Sequence, residues 1–169
     1  MTLFFSFIAI LQSFSISLGV GSSTLAIINF FTAIADGTID DTERRMMGVV
    51  YVVLRVAMVA ILITTVLLTG AKLLYIPFSQ LGAFTFGQMT VLFVLYLNAA
   101  LMTAHLMPST FGPAIQAGSW YTLGTLAALA PLGVTTFNYL EFLVGYITWV
   151  VLAVAIVNGT MAIMKHKRK

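Results

Sequence analysis

One long apolar segment constrains the fold of this chain more than any other feature. It covers residues 43–68 and reads ERRMMGVVYVVLRVAMVAILITTVLL. Arg55 is the only charged residue between Arg45 and Lys72. Because a helix rises about 1.5 Å per residue, this segment is long enough to cross a hydrocarbon core of about 30 Å. The segment therefore predicts a membrane-spanning helix that carries an arginine near the membrane midplane.

The composition extends this prediction to the whole chain. Hydrophobic residues make up 60% of the 169 residues and charged residues only 8%, whereas soluble domains carry about 25% charged residues. The chain has no cysteine, which excludes disulfides, thiolate catalysis and Cys-ligated metals. The net charge of +3 comes from a basic C-terminal tail and reads as a topology signal. We therefore expect a lipid bilayer as the partner, and no nucleic acid.

Apolar segments separated by turn residues predict an all-α fold, a polytopic membrane helix bundle in a single integral membrane domain. About five transmembrane helices are expected, at residues 3–35, 43–68, 85–107, 113–131 and 137–164. The fourth is short and rich in small residues, which favours a central, tightly packed position.

The basic residues predict the orientation of the bundle. Arg44 and Arg45 lie between the first two spans, and KHKRK follows the fifth. With five spans these two places fall on the same side, and positively charged loops favour the cytoplasm. The N-terminus is then outside and the C-terminus cytoplasmic, in an inner or plasma membrane.

The first span carries its polar and small residues on one helical face. With a spacing of 3-4-3-4-3 they are Gln12, Ser15, Gly19, Ser22, Ala26 and Asn29. Small residues at such spacing are typical of close helix packing in membranes, which is the interpretation we favour. The alternative is one wall of a polar pathway. The span is long for an upright helix, and a break would fall at residues 19–23.

The loop before the second span has two interpretations. Asp36, Asp40 and Glu43 resemble the second half of an EF-hand calcium loop, whereas Thr32 and Ile34 occupy the places of its opening ligands. The three acidic residues are therefore candidate calcium ligands. The interpretation we favour is structural, with Asp40 capping the second helix and Glu43 completing a capping box.

Two charged residues fall inside the predicted spans. Arg55 lies in the second span and Glu141 near the outer end of the fifth. A charge inside the membrane needs a partner or a water-filled cavity, and an arginine side chain reaches several ångströms along a helix. An ion pair between the two is therefore within reach. It would be either a structural lock between helices, or a gate, a proton-linked switch or an anion site.

The histidines and the possible nucleophiles of the chain offer few candidates for a cofactor ligand or a catalytic residue. His105 is the candidate haem ligand, alone or with a methionine; the alternatives are a helix C-terminal cap for His105 and a headgroup contact for His166. The GxSxG and HExxH patterns are absent from the sequence. We therefore expect no catalytic residues and no cofactor, and we favour a role other than that of an enzyme.

Three functions are consistent with these patterns. The first is a small transporter or channel, oligomeric because five helices enclose little polar volume. Its pathway would use Gln12, Ser15, Ser22, Asn29, Arg55, Asn98 and Glu141. The second is a noncatalytic subunit or assembly factor of a larger membrane complex, whose polar face on the first span docks on partner helices. The third is a haem-linked redox membrane protein.

Overall fold

The computed structural model describes residues 2–36, 40–108 and 110–167. Five α-helices make up the bundle: α1 (Thr2–Asp36), α2 (Asp41–Leu73), α3 (Ala83–Thr103), α4 (Phe111–Leu129) and α5 (Tyr139–Lys167). Two short 3-10 turns, Phe78–Gln80 and Ala130–Leu132, lie in the connections. No strand occurs in the described ranges. The predicted all-α bundle is confirmed.

Four of these helices, α1, α2, α3 and α5, are long and apolar enough to cross a membrane. Their outer faces carry many exposed large hydrophobic side chains, such as Phe14, Val52 and Val151. Such a surface requires lipid rather than water. The chain is therefore a helical membrane protein, whereas its orientation and the identity of its membrane stay predictions.

The helices differ strongly in length. α1 and α2 have 35 and 33 residues, about 50 Å each. α3 has 21 residues, about 30 Å, which matches a hydrocarbon core. α4 has 19 residues, and this expected fourth span is not among the four helices apolar enough to cross a membrane. α1 is one continuous helix through residues 19–23, so the expected place for a break is regular helix.

The start of α2 has the predicted capping box. Asp40 Oδ1 accepts a hydrogen bond of 2.6 Å from the Glu43 amide, and Glu43 Oε2 accepts one of 3.1 Å from the Asp40 amide. These two bonds satisfy amide groups that a helix N-terminus leaves without intrahelical partners. The structural interpretation of Asp40 and Glu43 is confirmed.

α4 is the most enclosed helix, and it packs against α1, α3 and α5. Trp120 is fully buried at its centre, within a cluster that also contains Ile61, Leu95 and Leu123. Gly19 of α1 lies against the Trp120 ring, where a Cβ atom would come within 2.3 Å of the indole. The predicted central position of this helix is therefore confirmed.

The polar face of α1 is used for packing inside the chain. Ser15 and Ser22 are buried, and their hydroxyls donate to the carbonyls of Leu11 and Leu18 on their own helix. This face lies against α2 and α4, which are the main neighbours of α1. The packing interpretation is confirmed, and the face is not free to dock on a partner helix.

Candidate functional site

A cavity of about 260 Å³ lies between α1, α2, α3 and α4. We call it the Arg55 cavity, because Arg55 is the one charged residue among the described residues that line it. The lining consists of Ser23, Ala26, Ile27 and Phe30 of α1, Tyr51, Leu54, Arg55 and Met58 of α2, Ala99, Met102 and Thr103 of α3, and Pro113 and Gln116 of α4. The described lining is therefore mainly apolar, with one positive charge and no carboxylate.

Arg55 lies near one end of the bundle. The cavity residues of α3 belong to its last turns, and those of α4 to its first turns. At the other end, the Lys72 ammonium donates to Thr85 Oγ1 at the start of α3, over 3.1 Å. Lys72 is 17 positions after Arg55 on α2, about 25 Å along the helix.

Arg55 is therefore not central relative to α3 and α4, whereas its depth in the membrane stays a prediction. The middle of α2 is not the middle of the bundle, because α1 and α2 continue past the ends of α3 and α4 where the cavity lies. A charge near an end of the bundle is less costly than one at the centre, since its long side chain reaches toward the interface.

The guanidinium of Arg55 has no hydrogen-bond or ion-pair partner within the described part of the chain. The same holds for the hydroxyl of Tyr51, one turn earlier on the same face of α2. Both side chains are exposed and line the cavity. Arg55 offers five N–H donors in a fixed planar arrangement. The cavity thus has hydrogen-bond donors that the protein itself does not use.

Asn98 and Gln116 form a buried amide pair behind the cavity. Asn98 Nδ2 donates to Gly112 O at 2.9 Å and to Gln116 Oε1 at 3.1 Å. The two side chains are only 2% and 6% exposed, respectively. Gln116 Nε2 has one contact, Met58 Sδ at 3.4 Å, and a thioether is a weak acceptor. The pair therefore fixes the oxygen of Gln116 and leaves its NH₂ group weakly engaged.

Sequence reasoning identified Asn98 and missed Gln116. A signal for Gln116 was present, because it is the only charged or carboxamide side chain in the sequence of α4. Glutamine is costly in a membrane helix unless its amide finds partners. The small residues around it directed attention to packing instead.

Glu141 lies at the opposite end of the bundle. It belongs to the first turn of α5 and lines a separate groove with Leu126 and Leu129 of α4. Leu126 and Leu129 are 10 and 13 positions after Gln116, which lines the Arg55 cavity. The groove of Glu141 is therefore about 15–20 Å from that cavity along α4. Both Arg55 and Glu141 belong to the described part of the chain, and no ion pair joins them there. The ion pair that the sequence placed within reach is not formed, because α2 packs on α1 whereas α5 packs on α4.

Glu141 instead suits its own helix. Asn138 Oδ1 accepts a 2.9 Å hydrogen bond from the Leu140 amide at the start of α5. A carboxylate in the first turn is stabilised by the positive end of the helix dipole. The position of Glu141 thus has a local structural explanation.

The remaining predicted pathway residues do not gather in the cavity. Gln12 Nε2 donates to Thr65 Oγ1 of α2 at 2.9 Å, and Ser15 and Ser22 bond to their own helix. The buried Nδ2 of Asn29 has no partner in the described part of the chain. Of the seven predicted residues, Arg55 lines the cavity and Asn98 reaches it through Gln116.

The candidate ligands for haem and calcium are not brought together. His105 is exposed and occupies a left-handed backbone position, with φ 57°, just after α3. His166 is exposed on the last turn of α5. The side chain of Asp36 lies outside the described residues. Within the described part of the chain, no three His, Cys, Asp or Glu residues are grouped as metal ligands.

The chain matches no family model, no curated protein and no solved structure.

Proposed function

We propose that this protein is a small membrane transporter that binds an anion in the Arg55 cavity. The observation that carries this proposal is the guanidinium of Arg55, which has no partner among the described residues and lies in a mainly apolar lining where none of them is a carboxylate. A cation in such surroundings gains most from a counterion that enters with matching acceptors. The proposed ligand therefore supplies the negative charge that the protein does not.

The position of the cavity supports entry from one side of the membrane. The cavity lies where α1 and α2 pass the ends of α3 and α4. On α2 this is also the side of Arg44 and Arg45, which are both exposed. Positive charges on that side raise the local concentration of anions.

The interior of the bundle favours a carrier over an open channel. Beyond the cavity the centre is filled by the core cluster, in which Ile61, Leu95, Trp120 and Leu123 are at most 1% exposed. An anion bound at Arg55 therefore meets closely packed side chains. Release on the other side requires a rearrangement of helices, which is the alternating access of carriers.

Flux measurements in proteoliposomes test this proposal. The wild-type protein is expected to move anions from a panel of chloride, inorganic phosphate, acetate and hexanoate above the rate of empty liposomes. Arg55→Gln should abolish the flux, and Arg55→Lys should retain part of it, since lysine keeps the charge but loses the planar donor arrangement.

Arg45→Gln is the matched control. It removes the same charge from the same helix, but Arg45 is exposed and lies outside the cavity lining. The control should keep most of the flux. The proposal is overturned if no anion of the panel moves, or if Arg55→Gln and Arg45→Gln behave alike while both variants keep the helix content and particle size of the wild type.

A further inference from the structure

The charge count of the Arg55 cavity limits the ligand to a low negative charge. Among the described residues of the lining, Arg55 is the only charged one. Lys72 is engaged with Thr85 at the other end of the bundle. A monovalent anion is neutralised by a single guanidinium, whereas a phosphate dianion would keep an uncompensated charge among apolar side chains.

The donors around the cavity suit a planar acceptor with two oxygens. A guanidinium pairs with a carboxylate through two parallel N–H···O bonds. The Nε2 group of Gln116 has only the thioether of Met58 as a contact, and Tyr51 adds a hydroxyl on the same face as Arg55. Each carboxylate oxygen has two lone pairs. One carboxylate therefore has acceptors for all three donor groups, whereas chloride offers no such directionality.

The walls suit a hydrocarbon body attached to that group. Ala26, Ile27 and Phe30 of α1 face Leu54 and Met58 of α2 across the cavity. The volume of about 260 Å³ corresponds to roughly nine waters at their share of the liquid. A small inorganic anion would leave these apolar walls in contact with water, whereas a chain of several carbons would cover them.

From these three observations we infer that the ligand of the Arg55 cavity is a monocarboxylate with an apolar tail, an inference that rests on the proposed function. The carboxylate pairs with Arg55 and Gln116, and the tail lies between α1 and α2. Such a molecule reaches the cavity from water, as a short-chain acid, or from the headgroup layer, as a fatty acid of the bilayer.

Equilibrium binding to the protein in nanodiscs tests this inference without any need for transport. Titration calorimetry with acetate, butanoate, hexanoate and octanoate, corrected with empty nanodiscs, should give affinities that rise about two- to fourfold per added methylene until the cavity is full. Hexanamide, which has the same tail and no charge, should bind at least tenfold more weakly than hexanoate.

Variants assign the binding to the two polar groups. Arg55→Gln should remove hexanoate binding, Arg55→Lys should weaken it about tenfold, and Gln116→Leu should weaken it severalfold. Arg45→Gln should bind as the wild type does. Particle size and helix content identify any variant that fails to fold. If Arg55→Gln fails to fold, the tenfold loss expected for the conservative Arg55→Lys is the result that decides.

Competition between a membrane-borne fatty acid and water-soluble acids identifies the route by which the ligand enters. If oleate incorporated into the nanodisc displaces hexanoate, the ligand comes from the membrane; if only water-soluble acids compete, it comes from solution. The inference is overturned if chloride or inorganic phosphate displaces hexanoate at equal concentration, or if affinity does not depend on chain length. If inorganic anions still move in a way that depends on Arg55, the proposed transport function stands and only the carboxylate inference is lost. If hexanoate binds as expected but no anion moves, the carboxylate inference stands and only the transport function is lost.

Discussion

Gly19 of α1 packs directly against the indole ring of Trp120 on α4. A Cβ atom at Gly19 would lie 2.3 Å from Cε3 and Cζ3 of the Trp120 ring. Trp120 is itself fully buried, so the ring has no open space into which it can retreat. The absence of a side chain at Gly19 therefore allows α1 and α4 to approach each other.

Gly19→Ala is expected to destabilise the fold by about 3 kcal/mol, because the added methyl overpacks a rigid site. Gly21→Ala is the matched control, since a Cβ atom there meets nothing within 4 Å. The control should leave stability unchanged or raise it by up to about 1 kcal/mol through better helix propensity. Unfolding of both variants in mild detergent measures the difference. Equal stabilities would contradict the close contact.

His105→Gly is expected to stabilise the protein by about 1 kcal/mol. The Leu106 amide bonds to Leu101 O at 2.9 Å and the His105 amide to Met102 O at 3.1 Å, which is the Schellman ending of a helix. This ending places His105 at φ 57°, where a side chain is strained and glycine is not.

Ala104→Gly provides the comparison for His105. Its φ is −77°, so glycine there brings no relief of strain and adds only chain entropy in the unfolded state. A midpoint of denaturation that rises for His105→Gly and does not rise for Ala104→Gly is the expected pattern. A fall in both would show that His105 makes a contact worth more than its strain.

The Asn98–Gln116 pair is expected to show energetic coupling of about 1 kcal/mol in a double-mutant cycle. Asn98→Leu should cost about 2 kcal/mol, because it leaves Gln116 Oε1 buried without its donor. Gln116→Leu should cost less, since Asn98 keeps Gly112 O as its acceptor. Free energies of unfolding of the two single variants and the double variant give the coupling.

Gln88→Leu on α3 is the control for this cycle, because Gln88 has no hydrogen-bond partner in the described part of the chain. Its effect should stay within about 0.5 kcal/mol. Strictly additive losses for Asn98 and Gln116 would mean that the two amides do not support each other.

Local features of the fold were accessible from the sequence. The helical period places the small residues of α1 on one face, and the capping box at Asp40 involves residues only three positions apart. Such features depend on the chain within one or two turns, so the pattern alone determines them. The small-residue content of α4 likewise predicted its central position.

The site depends on how the helices are offset along their axes, and the sequence of a single helix does not determine that offset. Arg55 is near the middle of its apolar segment. Because α2 extends beyond α3 and α4, Arg55 nevertheless lies beside the ends of those two helices. Helix packing likewise determines what Glu141 lies against, which is α4 rather than α2. Gln116 became significant only when α4 brought it beside Met58 and Asn98.

The unequal lengths of the helices make Arg55 responsive to the lipid around the protein. α3, at 21 residues, is about 30 Å long and just matches a hydrocarbon core, whereas the longer α1 and α2 are expected to accommodate a bilayer by tilting or protruding. A thicker bilayer then covers the level of Arg55 with hydrocarbon, and a thinner one exposes it to headgroups. Since electrostatic attraction strengthens as the local dielectric falls, the acyl-chain length of the host membrane acts as a control on the charge at this cavity.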